Sequence, residues 1–202
     1  MMFNLPESCI VNKRILKESF YKYLEITSNI KEEFDTKIEK ILWSYRLSKN
    51  TLGIKKTNDV EEIQIFEINL KTRKIPINSI KMITKNIPSK ILFVLKYNND
   101  ICYGIKVNYI YFTNWNEKIE FNFNGDNLEK VYEDIVKKII KEENNKKDFK
   151  DLIDYKNKKQ ELAKKIEQLN NKIKKEKQFN RKVELNKQLK KFENEMEELI
   201  NE

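Results

Sequence analysis

In the last quarter of the chain, apolar side chains recur at helical steps. Leu162, Ile166, Leu169 and Ile173 are separated by four, three and four positions, and Leu185, Leu189, Phe192, Met196 and Leu199 by four, three, four and three. Lys, Glu and Asn fill most of the positions between, so the segment can bury only a narrow stripe and must do so against another helix. The two runs are out of register. The stretch KEKQFNRKVELN, residues 175–186, joins them with Glu176, Asn180 and Arg181 where apolar residues are expected. Two arrangements account for the break. In one it is the turn of a helical hairpin, with Asn180 at the tip and Phe179, Val183 and Leu185 closing the end. In the other a single helix of about 75 Å runs through, and the polar residues form a layer that sets register against one partner. Both imply something packed on the segment, and the residues placed to make that contact are Phe179, Asn180, Arg181, Val183 and Leu185.

The rest of the composition narrows the chemistry. The chain of 202 residues contains no histidine, which removes Ser–His and Cys–His nucleophiles, histidine bases and every His-ligated metal. Three glycines leave no phosphate-binding loop and no dinucleotide fingerprint. The net charge of +9 points towards nucleic acid. The cations are almost all lysine, however, with only Arg14, Arg46, Arg73 and Arg181 as arginines. Together with abundant Asn, Ile and Tyr, that is also the signature of AT-rich codon usage, and arginine is the residue that forks onto phosphates and guanine edges. Cys9 and Cys102 stand far apart in no ligand spacing and read as reduced thiols of a cytoplasmic protein. No stretch approaches the roughly 20 apolar residues of a membrane span, and the N-terminus lacks a secretory apolar region.

Ahead of the heptads, the pattern predicts a mixed α/β or α+β domain over residues 1–145, with a charged helical coiled-coil arm or hairpin over 146–202. Residues 17–26 read as a short helix. A second helix is expected from Asn29, with Ile30, Phe34, Ile38, Ile41, Leu42 and Tyr45 on one face. A sheet of about four strands is expected from 60–71, 91–95, 101–112 and 118–123. The first changes apolar parity between Ile65 and Phe66, which predicts a bulge or burial on both faces. A short helix after Pro76 carries Ile80, Met82, Ile83 and Ile87. Another, capped by Asp126 and Glu129, faces inward with Leu128, Val131, Ile135 and Ile139.

Two constellations invite chemistry. Glu67 lies among the apolar residues of the first predicted strand, with Lys71 following and Glu61 or Glu62 nearby. A divalent-metal nuclease needs paired carboxylates and a nearby lysine, but the spacing Glu67-Ile-Asn-Leu-Lys71 is longer than Glu-x-Lys, and an ordinary strand-end carboxylate, paired to a lysine or facing water, fits better. Tyr103, Tyr109, Tyr111, Phe112 and Trp115 are interleaved with Lys96 and Lys106. Lys96, Tyr103, Lys106 and Trp115 would form a stacking platform for single strands, or aromatics of an ordinary sheet core. No cofactor or metal is implied.

The stretches VNKRILKESFY, IEKILWSYRLSKNTLGI, EIQIFEINL, IPSKILFVLKY and KEKQFNRKVELN together resemble the bacterial family called domain of unknown function 4391, over nearly the whole chain. The family usually carries a proline where Leu16 stands. The resemblance brings no catalytic residues. It implies genomic neighbours of the Snf2-type or DEAD-box helicase and DNA methyltransferase kinds, in restriction-like or phage-defence clusters. The expectation is therefore a non-catalytic accessory subunit that contacts a helicase or methyltransferase, or another copy of itself, through its C-terminal helix. Trp43 and Tyr45 are expected to support the core. A Glu67-centred nuclease and a non-specific nucleic-acid binder are the alternatives.

Overall fold

A computed structural model describes residues 3–23, 26–141 and 148–201 of the protein. The chain divides into two compact units, Met1–Lys141 and Glu142–Glu202. The division expected between residues 145 and 146, and the end of the helix expected over 17–26, fall in part outside the described residues.

The first unit is built on a six-stranded sheet, not four, in the order β1 (Ile10–Ile15), β2 (Ile38–Ser48), β3 (Glu62–Leu70), β4 (Lys90–Tyr97), β5 (Asp100–Lys106) and β6 (Ile110–Phe112). Neighbours run antiparallel except β3 and β4, which are parallel and joined by the crossover helix α4 (Ile77–Asn86). Side chains alternate between faces. Ile41, Phe66, Ile68, Phe93, Leu95 and Cys102 point to one face, where they form a buried cluster with Phe20 of α1 (Lys17–Tyr23), Phe34 of α2 (Ser28–Lys37) and Ile80 and Ile83 of α4. The other face holds Ile63, Ile65, Leu92, Val94 and Ile105, all fully buried. Helix α5 (Leu128–Ile140) lies against β3, β5 and β6 and buries Val131, Ile135 and Val136. A short helix α3 (Lys49–Leu52) ends at Gly53, whose φ of 76° is the left-handed conformation a helix stop requires.

Two expectations need correction. The stripe running from Ile30 to Tyr45 is not one helix: α2 stops at Lys37, and the rest is the long strand β2. Ile41, Trp43, Tyr45 and Leu47 also alternate by two, and a β-branched and aromatic run with free strands on both sides is more stable paired than coiled. Lys17 braces the switch point: its ammonium donates to the carbonyl of Phe34, at 2.9 Å, which also accepts from the Ile38 amide that closes the helix, and to the carbonyl of Ile38. Burial pushes the Lys17 ammonium down, and nearby Lys71 adds to the effect. The second correction concerns KIEFNF, 118–123, which forms no strand. Its alternation is satisfied by ring packing, with Phe121 4.9 Å from Tyr103 and Phe123 5.5 Å from Phe3.

Smaller differences follow the same logic. The expected strand over 101–112 is split into β5 and β6. Of the two readings of the parity change in β3, burial on both faces is the one found, with Ile63 and Ile65 buried on one face and Phe66, Ile68 and Leu70 on the other. The bulge lies on its partner, where Ser44 is the extra residue between the pairs Trp43–Phe66 and Tyr45–Ile65. Asn127, not Asp126, caps α5, its side chain accepting from the Lys130 amide at 2.9 Å.

The second unit consists of α6 (Phe149–Lys175) and α7 (Phe179–Asn201), joined by Glu176–Gln178. The two helices pack on each other, and the Lys165 ammonium lies 5.2 Å from the centre of the Phe192 ring. The segment is therefore folded back as a hairpin, with helices of about 40 and 35 Å. Its seam is the one the heptads predict: Leu162, Leu169 and Leu199 are buried, and Ile166, Ile173, Leu185, Leu189, Phe192 and Met196 half-buried.

Candidate interaction site at the hairpin turn

The polar break in the heptads is the turn itself. Glu176 leaves the helical conformation at φ −75°, ψ 131°, and its carboxylate accepts from the amides of Lys177 at 2.8 Å and Gln178 at 2.9 Å. Those amides lead into α7 and have no helical partner, so the carboxylate takes the part of a capping residue. The same bonds, that from Gln178 foremost, hold its carboxyl below the usual range. A leucine or isoleucine here would leave the donors open.

Past the turn, most of the residues expected to make the contact lie on the outside. Phe179 is 79% exposed, the most of any large apolar side chain described, and Val183, one helical turn on, is 40% exposed. Asn180 and Arg181 are exposed beside them, whereas Leu185 faces the seam. The turn lies at Glu176–Gln178 and not at Asn180, and Phe179 and Val183 do not close the end of the hairpin. An exposed phenylalanine contributes little to the fold that carries it. Its apolar surface gains when something else covers it.

The other candidate residues sit in the first unit and do not converge. Glu67, on β3, forms an ion pair with Lys96 on the parallel neighbour β4, both partly buried. Lys71 is drawn elsewhere, donating to the Asp35 carbonyl on α2 at 2.7 Å. Glu62 lines a cleft of about 420 Å³ with Asp59, Glu61, Ser89 and Lys90. Its carboxylate is shared among Arg46 at 2.6 Å, Ser89 at 2.7 Å and Gln64 at 2.5 Å, and it lies five residues from Glu67 along the strand, about 17 Å away. Among the described residues, no three His, Cys, Asp or Glu side chains gather closely enough to share a metal.

The aromatic–basic residues are likewise dispersed. Tyr103 is buried on the α5 side against Phe121. Trp115 packs on the opposite face, with the Arg73 guanidinium 5.6 Å from its ring. Lys96 is engaged by Glu67, and the Lys106 carbonyl accepts from the Tyr132 hydroxyl at 2.8 Å. Trp43 and Tyr45 flank the bulge on β2, joined by a bond from the indole N–H to the Tyr45 carbonyl at 3.0 Å, and both pack against buried residues. The sequence alone shows a basic face from Lys156 to Lys190 and an acidic end from Glu193 to Glu202, but not that the lysines gather at the turn. Their clustering follows from the fold-back, which brings the end of α6 beside the start of α7.

Among the described residues, no helix is long and apolar enough to cross a membrane. No curated protein and no solved structure matches the chain. A family model described as "Domain of unknown function (DUF4391)" matches residues 3–196, across both units, and the chain belongs to that family.

Proposed function

We propose that the protein is a non-catalytic accessory subunit whose contact element is the turn end of the helical hairpin. The assembly it serves, on this reading, is a restriction-like or phage-defence system of the kind the family resemblance implies, with a helicase and a DNA methyltransferase. The observation that carries the reading is the exposure of Phe179 together with Asn180, Arg181 and Val183 on the first turns of one helix. Helical presentation lowers the entropic cost of binding, and aromatic and arginine side chains supply much of the energy at contact surfaces. A nuclease centred on Glu67 and Lys71 has less behind it, because Lys96 holds the Glu67 carboxylate and the Asp35 carbonyl holds Lys71.

The test is co-purification. The tagged full chain, produced with the helicase and methyltransferase that the family resemblance implies as its neighbours, is expected to recover them. The variant with Ala at Phe179, Asn180 and Arg181 should recover less than about a tenth as much, at an unchanged circular dichroism spectrum. Equal recovery by the two proteins would show that the hairpin end is not the contact.

A further inference from the structure

The charges of the hairpin are sorted by position. Residues 164–191, the half nearer the turn, carry eleven Lys or Arg against three Glu, a balance of +8. Residues 148–163 and 192–201, the open half, carry four cations against eight carboxylates, a balance of −4. Codon bias enriches lysine everywhere but has no means of placing it at one end. Close to the turn, Lys172, Lys174, Lys175, Lys177, Arg181 and Lys182 are all exposed, and among the described residues none has a carboxylate within 4.0 Å. The one acid inside this group, Glu176, is turned onto the backbone amides of Lys177 and Gln178, with Arg181 near enough to favour its charge. Phe179 projects from the middle of these cations.

We infer that this end of the hairpin binds single-stranded nucleic acid, its phosphates on Lys174, Lys175, Lys177, Arg181 and Lys182 and an unstacked base on the Phe179 ring. The inference rests on the reading of the hairpin end as the contact element and names what it contacts. Three features favour this ligand. Protein interfaces are depleted in lysine, whereas a lysine-rich surface matches a polyanion. An exposed aromatic ring among cations is the arrangement that holds single strands, because every base offers a face to stack. A duplex keeps its bases stacked, and base-edge reading there relies on arginine forks, of which the turn offers Arg181 alone. The half near the turn spans about 18 Å on each helix, room for several phosphates.

The experiment is fluorescence anisotropy of a labelled oligothymidylate of about 30 nucleotides, titrated with the full chain. With about five phosphates neutralised, affinity should fall about a hundredfold between 50 and 200 mM salt. Replacing Lys174, Lys175 and Arg181 by Glu should weaken binding at least about tenfold. Replacing the exposed Lys49, Lys85 and Lys118 of the first unit by Glu makes the same change in net charge and should cost less than about threefold. Phe179→Ala should weaken single-strand binding about fivefold or more, and Phe179→Trp should restore it. Equal losses from the two charge variants, or an unaltered affinity in Phe179→Ala, would overturn the inference. If the oligonucleotide is not bound, yet alanine at the turn abolishes recovery of the other subunits from nuclease-treated material, the contact is to protein; the inference then falls while the proposed function stands. If neither binding nor recovery depends on the turn, both fall.

Discussion

The sheet unit and the hairpin draw on the same lysine-, asparagine- and isoleucine-rich composition but use it in opposite ways. In the sheet unit, Phe34, Phe66, Phe93 and more than a dozen aliphatic side chains are essentially inaccessible, on two faces of one sheet. Its apolar residues are held by contacts distant in sequence. In the hairpin only Leu162, Leu169 and Leu199 join the single buried seam within α6 and α7, apart from Leu152 and Ile153 near the start of α6. A seam that narrow stabilises two helices and leaves most of their surface to other uses. The difference teaches where this chain can carry function: a phenylalanine in the sheet unit is taken up by the core, whereas Phe179 remains outside.

The largest expected effect tests whether the two units are energetically separate. Phe93→Ala removes a fully buried ring and should cost the sheet unit about 3–5 kcal/mol. In thermal melts, the near-ultraviolet signal of its aromatic core should move to lower temperature while the remaining helical signal stays. A single shared transition would break the comparison. Next, Leu162→Ala opens the hairpin seam and should cost about 2–3 kcal/mol, the low end for such truncations because two helices can collapse around the gap. Here the helical signal should weaken with the aromatic signal unmoved.

A smaller effect is pH-dependent and belongs to the sheet unit alone. Glu33 is buried, and its carboxylate accepts from the Ser79 amide at 2.7 Å, the Ser79 hydroxyl at 3.0 Å and Lys37 at 2.7 Å. Burial pushes its carboxyl up, but these bonds outweigh the burial and hold it below the ordinary value of 4.5. A carboxyl held low in the folded state contributes stability above its unfolded value and loses it as pH falls through the folded one. The sheet unit should thus weaken below about pH 4.5. Glu33→Gln should flatten that dependence and cost about 1–3 kcal/mol at neutral pH, read by urea denaturation across a pH series. The smallest effect sharpens the contrast: Phe179→Ala should change the melting of the hairpin by no more than about 0.5 kcal/mol. A larger loss would mean that the ring supports the fold.

How much of this was legible in the sequence depended on the range of the contacts. The seam of the hairpin and the inner face of α5 follow from side chains three and four residues apart, so their periodicity carried through to the structure. Residues 38–48 satisfied both a helical and an alternating pattern, and nothing local distinguishes the two. KIEFNF alternates like a strand but finds its partners through rings instead of a backbone ladder. The position of the turn was legible because a helix-forming run interrupted by Glu176, Asn180 and Arg181 needs a reason, and the basic run from Lys156 to Lys190 was legible too. The cluster of lysines at the turn was not, since half of it arrives from the other helix.

By itself, the sequence determined that the chain has no histidine chemistry, that its last quarter is helical with a break at 175–186, and that a mixed sheet with helices precedes it. Only the tertiary structure decided that residues 38–48 are a strand, that Glu67 pairs with Lys96 rather than meeting Lys71, and that the break is a turn which gathers cations around Phe179. The physical reason is common to all three. A helix closes its hydrogen bonds within four residues and announces itself locally, whereas β2 completes its bonds only with β1 and β3. An ion pair or a charge cluster likewise exists only once the chain has brought its members together.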